Sequence, residues 1–153
     1  MKPKTIGYFK SVQNVGNCEA TVDLKNGMGI VLDQAALTAS LPASDAEAKA
    51  CYRYVSNIND KPEMHNFEET LTVKTGEKVR ADDLTSVANL EMEIAHYEIS
   101  TDYAEIAVGD NLVFGTDGLL AKSSAVTGYK VYFEVIKKTA YMGKGLLAIV
   151  RVQ

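Results

Sequence analysis

Apolar and polar residues alternate with a period of two along several stretches of the chain. In residues 89–94 every second residue is apolar and the others are Asn or Glu, while residues 70–74 show a shorter version of the same pattern. Residues 146–152 are apolar throughout except at Arg151. The clearest run is residues 129–136, in which one face carries Tyr129, Val131, Phe133 and Val135. These patterns predict β-strands, the last two of them neighbours in one sheet.

Short turn sequences separate the apolar runs. They are Asn26-Gly27, Thr75-Gly76, Gly109-Asp110-Asn111 and Asp117-Gly118. Such residues tolerate the left-handed backbone conformation that a tight chain reversal needs. The Asp117-Gly118 dipeptide predicts the clearest hairpin, which joins residues 112–114 to residues 119–121.

Helical signals are confined to short stretches. Ser44 and Glu47 have the spacing of a capping box, which predicts one or two helical turns through about Cys51. Residues 82–86 predict another turn.

Together these signals predict a mainly β fold, namely a single small β-barrel or β-sandwich domain with one or two short helices. The domain spans residues 1–153, with an extended N-terminal arm over residues 1–15 and the main β-body from about residue 56 to residue 153. Pro42 is the best candidate for the break between the N-terminal portion and that body.

Composition places the chain among ordinary globular proteins. Its 153 residues are 46% hydrophobic and 24% charged, which excludes a wholly disordered or collagen-like chain. The net charge of −4 gives no reason to expect chain-wide binding to nucleic acid or to an anionic membrane. No apolar run is long enough for a signal peptide or a membrane span, so we expect a soluble, non-exported protein. Cys18 and Cys51 are interpreted as buried, reduced side chains.

The residue types that usually carry catalysis are not arranged for it. Glu93 and His96 have E-x-x-H spacing, but on a strand these side chains point to opposite faces. His65 lies in a polar loop by composition. The acidic pairs Glu68-Glu69, Asp82-Asp83 and Asp110 with Asp117 are interpreted as solvated turn acids. Gly143-Lys144-Gly145 lacks the frame of a phosphate-binding loop. We therefore assign no catalytic, cofactor-binding or metal-binding residue and predict that the protein is not an enzyme.

Charge is segregated along the second half of the chain. Residues 81–121 carry nine acids and no Lys or Arg, a charge of −9, whereas residues 122–153 carry six bases and one acid, a charge of +5. The two stretches either cancel inside one sheet or form complementary faces that match neighbouring copies.

Aromatic and basic residues are also interleaved near the C-terminus. This combination partly matches the composition of a single-stranded nucleic-acid-binding surface. It comprises residues 129–133 together with Lys137, Lys138 and Tyr141. The alternative is an amphipathic strand with a solvated edge, whose lysines deter unwanted pairing.

Residues 108–122, with the sequence VGDNLVFGTDGLLAK, resemble the "GD-x-L … DG-x-L-x-K" hairpin of the head decoration proteins of tailed bacteriophages. Residues 129–134 are similar to the strand that follows it, and residues 143–152 to the closing turn and strand. Residues 57–63 and 67–73 also resemble small structural proteins of phages that infect Gram-positive bacteria. The portion before about residue 56 does not align with any such family.

The resemblance implies a non-enzymatic virion protein that binds the outside of an assembled capsid and bridges neighbouring capsid subunits. Its partners would be the major capsid protein of the same phage and further copies of itself, as a homo-oligomer such as a trimer. It would be made in the host bacterial cytoplasm and reside on the capsid surface, without a cofactor, a membrane or nucleic acid.

The expected assembly contacts lie in the N-terminal arm and in the lysine-bearing C-terminal loop. They are Lys2, Lys4, Tyr8, Phe9, Lys137, Lys138, Tyr141 and Lys144. The arm, residues 2–12, is expected to add a strand to the sheet of a neighbour. Two alternatives stay open: another head or head–tail connector protein, and a small-barrel protein that binds single-stranded nucleic acid.

Overall fold

The computed structural model describes residues 1–3, 14–57 and 71–153, and these residues form a mainly β fold. Five strands close into a barrel: β2 (Asn14–Ala20), β4 (Gly29–Asp33), β5 (Thr38–Ser40), β6 (Arg53–Val55) and β8 (Lys78–Asp83). A six-stranded sheet contains β1 (Lys2–Pro3), β9 (Glu91–Ala95), β10 (Asn111–Phe114), β11 (Leu120–Ser123), β12 (Val131–Thr139) and β13 (Gly145–Val152). The short strands β3 (Leu24–Lys25) and β7 (Thr72–Val73) pair with each other. The predicted mainly β fold with a small barrel is confirmed.

The barrel has the strand order β2, β5, β4, β6, β8 and closes through the pairing of β8 with β2. Only β2 and β5 are parallel; the other pairs are antiparallel. Its interior is filled by small and branched side chains, namely Cys18, Ala20, Leu24, Ile30, Ala39, Val55, Val73, Val79 and Ala81. Because Leu24 and Val73 come from β3 and β7, that short pair packs against the barrel interior.

The six-stranded sheet is antiparallel throughout, in the order β1, β9, β13, β12, β10, β11. The hairpin predicted at Asp117-Gly118 is present, with Phe114 opposite Leu120. The predicted neighbours β12 and β13 also pair, and a bulge between Val135 and Lys137 shifts their register. The alternation predicted for β9 is correct, since Met92 and Ile94 are buried and the alternating Glu91 and Glu93 are half-buried.

Strand β6 contributes to two hydrophobic cores. One of its faces packs in the barrel interior, and the other packs among the buried residues of the six-stranded sheet. Val55 belongs to the barrel interior, whereas Tyr54 packs among the buried residues of the six-stranded sheet. Alternate side chains on a strand point to opposite faces, so this strand contributes to both layers. The backbone of Gly29 at the start of β4 also contacts the sheet, since its N–H donates to Gly118 O at 2.7 Å.

Helical segments are short, as predicted. The only α-helix among the described residues is α1 (Asp45–Ala50), and 3₁₀ turns cover Leu84–Val87, His96–Glu98 and Tyr103–Glu105. Ser44 caps α1, because its hydroxyl accepts from the Glu47 N–H at 3.3 Å. The Glu47 carboxylate accepts from Ala43 N at 2.8 Å rather than from Ser44 N, so the reciprocal half of the predicted capping box is displaced by one residue.

The β-structure begins earlier than the sequence pattern placed it. Four of the five barrel strands precede residue 56, and buried Pro42 lies between β5 and α1 inside the fold. These strands are short and rich in Gly, Ala and Cys, so they lack a clear alternation of large apolar residues. Of the predicted arm, residues 4–13 lie outside the described residues, Lys2–Pro3 pair with β9, and β2 begins at Asn14.

Candidate functional site

The described members of the predicted contact set lie on β1, on β12 and on the loop after it. We call residues 140–144, which connect β12 to β13, the hairpin tip. Tyr141 and Lys144 belong to the tip, Lys137 and Lys138 lie just before it, and Lys2 reaches it from the edge strand β1. Lys4, Tyr8 and Phe9 lie outside the described residues. The structure therefore brings most of the described contact residues to one end of the sheet.

Lys2 and Tyr141 meet across this end of the sheet. The Lys2 ammonium lies 4.6 Å from the centroid of the Tyr141 ring, and it forms a long ion pair with Glu93 at 3.8 Å. The pairing of Lys2 with Glu93 in the β1–β9 ladder fixes its position. A cation over an aromatic face is attracted by the negative charge density of the ring, so this contact connects β1 to the tip.

A second cation–aromatic contact holds the base of the hairpin. Lys138 Nζ donates to Tyr103 O at 3.1 Å and lies 4.7 Å from the centroid of the Tyr103 ring. Tyr103 Oη in turn donates to Gly145 O at 3.1 Å. Sequence reasoning missed Tyr103, because its position on a 3₁₀ turn beside the hairpin depends on contacts distant in sequence.

Two lysines of the predicted set remain available on the surface. Lys137 and Lys144 are exposed, and neither forms an ion pair with a described residue. The backbone of Lys144 is fixed, since its carbonyl accepts from His96 N at 2.9 Å. These side chains present positive charge around the hairpin tip without an acidic partner among the described residues.

Charge segregation is partly compensated inside the sheet. Strands β9 and β10 of the acidic stretch pair with β13 and β12 of the basic stretch. Lys122 bonds to Asp110 at 2.7 Å, and this contact holds the pKa of the Asp110 carboxyl below its usual value. Arg151 pairs instead with Glu134, within its own stretch. Both interpretations of the segregation therefore stay open.

Asp82 and Asp83 are buried, so the prediction that they are solvated turn acids is wrong. They are 7% and 8% exposed and end β8, where adjacent side chains point to opposite faces. Asp82 accepts from Tyr54 Oη at 3.4 Å, and Asp83 caps the following 3₁₀ turn by accepting from Thr85 N at 2.8 Å. The turn predicted over residues 82–86 is present as this 3₁₀ turn, but it begins only after Asp83, because β8 continues to that residue through its pairing with β6.

Burial raises the pKa of Asp82, because desolvation penalises the carboxylate. Arg80 Nε lies 3.7 Å from Asp82 Oδ1, too far for a hydrogen bond. Burial likewise raises the pKa of the Tyr54 phenol, with a further contribution from the nearby Asp82 charge. This hydrogen bond joins the barrel strands β6 and β8, and the raised pKa leaves the phenol protonated, so the pair is a structural contact rather than a nucleophile.

Replacing Asp82 with Asn is expected to flatten the pH dependence of stability. A carboxyl whose pKa is raised on folding stabilises the fold less as pH rises from its unfolded pKa through its folded pKa. Relative to wild type, Asp82→Asn should therefore have a higher free energy of unfolding, and so be more stable, at about pH 7 than at about pH 4. Urea unfolding at both pH values measures this difference.

Tyr54→Phe should change stability with the opposite pH dependence. It removes the hydrogen bond that favours the carboxylate, so its destabilisation should be greater at about pH 7 than at about pH 4. If the effect of Asp82→Asn does not change with pH, Asp82 does not titrate differently in the folded and unfolded states.

A cavity of about 440 Å³ lies between β4, α1 and β6. Apolar side chains including Ile30, Leu32 and Ala50 line it, together with Gln34 and Glu47. We call it the β4–α1 pocket. It also borders Tyr52, whose ring has the Lys130 ammonium 3.6 Å from its centroid, and Arg53, whose guanidinium lies 3.6 Å from Asp83.

Both cysteines are free and buried, as predicted. Cys51 borders the β4–α1 pocket, and its thiol donates weakly to Ile30 O at 3.4 Å. Burial raises the pKa of this thiol to about 11, so it is not an activated nucleophile.

Glu93 and His96 lie on different secondary-structure elements. Glu93 lies on β9 and His96 begins the following 3₁₀ turn. Among residues 1–3, 14–57 and 71–153, no group of three or more His, Cys, Asp or Glu side chains could hold a metal ion. His65, Glu68 and Glu69 lie outside the described residues. In the described part of the chain, no helix is long and apolar enough to cross a membrane.

The aromatic and basic run before the tip does not form one exposed stacking surface. Phe133 is fully buried, and Tyr132 is half-buried on the opposite face of β12. Lys130 covers the ring of Tyr52 instead of leaving it open. This geometry favours the amphipathic-strand interpretation of the run.

No protein-family model matches the chain, and no curated protein is significantly similar to it.

Proposed function

We propose that this chain is a non-enzymatic virion structural protein that binds the outside of an assembled phage capsid and bridges neighbouring capsid subunits. The observation that carries the proposal is the grouping of Lys2, Lys138, Tyr141 and Lys144 around one end of the six-stranded sheet. Tyrosine is enriched in protein interfaces, and lysines at the rim of an interface favour partners of opposite charge.

One structural feature and one thermodynamic argument support a role on a capsid. The hairpin on which the resemblance to decoration proteins depends is formed by β10 and β11. A site that spans two capsid subunits exists only after assembly, so a protein that binds it stabilises the assembled shell by mass action. The proposed partners are the major capsid protein of the same phage and further copies of this chain, on the capsid surface.

The buried titratable groups give no support to catalysis. Tyr54, Asp82 and Asp83 are engaged in contacts that join β6, β8 and the following turn. Tyr54 donates to Asp82, and Asp83 accepts from Thr85 on the other face of β8, so the three groups do not converge on one site.

Binding to pre-formed capsids tests the proposal. The protein should sediment with assembled shells and not bind free capsid subunits. Lys137→Glu should weaken shell binding by roughly 10-fold or more, because it puts a negative charge where a positive one faces the partner. Lys25→Glu is the matched control, since Lys25 is an exposed lysine on β3 and the charge change is the same.

Three results would contradict the proposal: no binding to shells, equal binding to free subunits, or equal effects of Lys137→Glu and Lys25→Glu. Salt-sensitive binding to oligonucleotides that is lost when Lys137 and Lys138 are replaced would favour the nucleic-acid alternative instead.

A further inference from the structure

The hairpin tip contains an exposed methionine in an unfavourable backbone conformation. Met142 has φ of +50° and is 37% exposed. It is the third residue of a turn closed by the bond from Gly143 N to Ala140 O at 3.0 Å. A positive φ at this turn position favours Gly or Asn, which makes methionine a poor choice for the turn itself.

Leu37 is the other exposed apolar residue with positive φ among the described residues, and its conformation has an internal explanation. Its φ is +55° and it is 44% exposed. The Leu37 carbonyl accepts from Glu19 N at 2.8 Å, so its backbone helps to pair β5 with β2. No comparable bond is made by the Met142 backbone to another strand in the described residues. A flexible, polarisable side chain at an exposed tip is typical of a contact with another protein.

The β4–α1 pocket has the properties of a receptor for such a side chain. Its volume of about 440 Å³ is within the range of ligand pockets, and Ile30, Leu32 and Ala50 give it an apolar lining. Glu47 lines it and exposed Asp33 adjoins it, so acidic groups lie at its border. Two cations also lie near the pocket, and both are engaged with the Tyr52 ring: Arg53, which is largely covered beside Asp83, and Lys130, whose ammonium is 3.6 Å from the ring centroid.

The tip and the pocket are too far apart to meet within one molecule. Lys130 N donates to Lys49 O at 2.7 Å, next to Ala50 of the pocket, and Lys130 directly precedes β12. The tip follows the other end of this nine-residue strand. At about 3.3 Å per residue, the two features are roughly 30 Å apart.

We propose that the hairpin tip of one copy inserts Met142 into the β4–α1 pocket of a second copy of this chain, with Lys144 facing Glu47 and Asp33. The two surfaces differ, so the contact is heterologous: successive copies form a ring if the rotation closes and a filament if it does not. The inference deepens the proposed function, because it identifies how copies would associate on a capsid. It is tested with the purified protein alone, so it can fail while capsid binding succeeds.

The test uses one variant on each surface. Met142→Asn removes the apolar side chain and suits the turn better, so it should fold at least as stably as wild type while associating roughly 10- to 100-fold more weakly. Ala50→Arg places a bulky cation at the pocket from an exposed position in the last turn of α1, where a cation is compatible with the helix dipole. Leu37→Asn is the matched control and should associate as wild type does.

Sedimentation velocity over a concentration series gives the result. Wild type should associate, each variant alone should remain monomeric, and an equimolar mixture of Met142→Asn with Ala50→Arg should form a 1:1 dimer. The mixture succeeds because one intact pocket and one intact tip remain between the two variants, whereas two copies of the same variant lack one of them.

Cross-linking keeps the test decisive if Ala50→Arg does not fold. A photo-cross-linking amino acid at position 142, in a mixture of isotopically labelled and unlabelled protein, should link to residues 30–34 or 47–53 of a different copy. Three results would overturn the inference. They are a wild-type protein that stays monomeric at its highest soluble concentration, single variants that associate as wild type does, and cross-links to other residues.

Discussion

Phe133→Ala is expected to lower the free energy of unfolding by about 4 kcal/mol, which is near the limit for a single substitution in a core of this kind. Phe133 is fully buried near the start of β12, opposite Val150 of β13 and Leu112 of β10. Its ring meets Phe114 edge to face, with centroids 5.8 Å apart and planes at 88°. Truncation removes this contact and leaves a cavity that rigid neighbouring strands cannot fill.

Tyr132→Ala is the control on the same strand, because Tyr132 is half-buried and faces the opposite side. It should cost clearly less, on the order of 1 kcal/mol. Urea unfolding of both variants, monitored by circular dichroism, measures the difference. Equal losses would mean that the two faces of β12 are not buried as described.

Gly29→Ala is expected to destabilise the protein by about 3 kcal/mol, the upper end of the usual cost of overpacking. A Cβ atom at this position would lie 2.5 Å from Phe114 Cδ1 and 2.6 Å from Phe114 Cγ. The backbone cannot easily retreat, since Gly29 N is bonded to Gly118 O. The added methyl group would therefore separate the barrel from the β10–β11 hairpin.

Gly16→Ala is the matched control, because a Cβ at Gly16 meets nothing within 4 Å and its φ is not positive. This substitution should be neutral or slightly stabilising. Combining Gly29→Ala with Phe114→Leu should cost less than the sum of the two single effects, as the smaller side chain makes room for the methyl group. Additive effects, or equal losses from the two alanine substitutions, would contradict the steric explanation.

The burial of Phe133 could be predicted from the sequence, whereas the steric constraint at Gly29 could not. Alternation over residues 129–136 is enough to place Phe133 on the apolar face, and its complete burial confirms this. Nothing local distinguishes Gly29 from Gly16, since each is a glycine beside an apolar residue of a short strand. Their different tolerance of a methyl group arises from Phe114, which is distant from both along the chain.

In the candidate site as well, the sequence shows which residue types are present but not which contacts they make. Lysines and tyrosines in the C-terminal loop are identified by their residue types, but their partners are not. Tyr103, which holds Lys138 and Gly145, and the cation–aromatic contact of Lys2 with Tyr141 depend on which strands become neighbours. Met142 could have been noticed as an apolar residue before Gly143 in a predicted hairpin loop, although only its φ shows that it is conformationally unfavourable.

By itself, the sequence determined the mainly β class, the β10–β11 and β12–β13 hairpins, the short helix and the buried cysteines. These features depend on side-chain alternation and turn residues, which act over a few positions. Tertiary structure alone decided the early start of the barrel, the burial of Asp82 and Asp83, and the separation of the hairpin tip from the β4–α1 pocket. These depend on pairings between distant strands, whose free energy comes from packing that no local pattern contains.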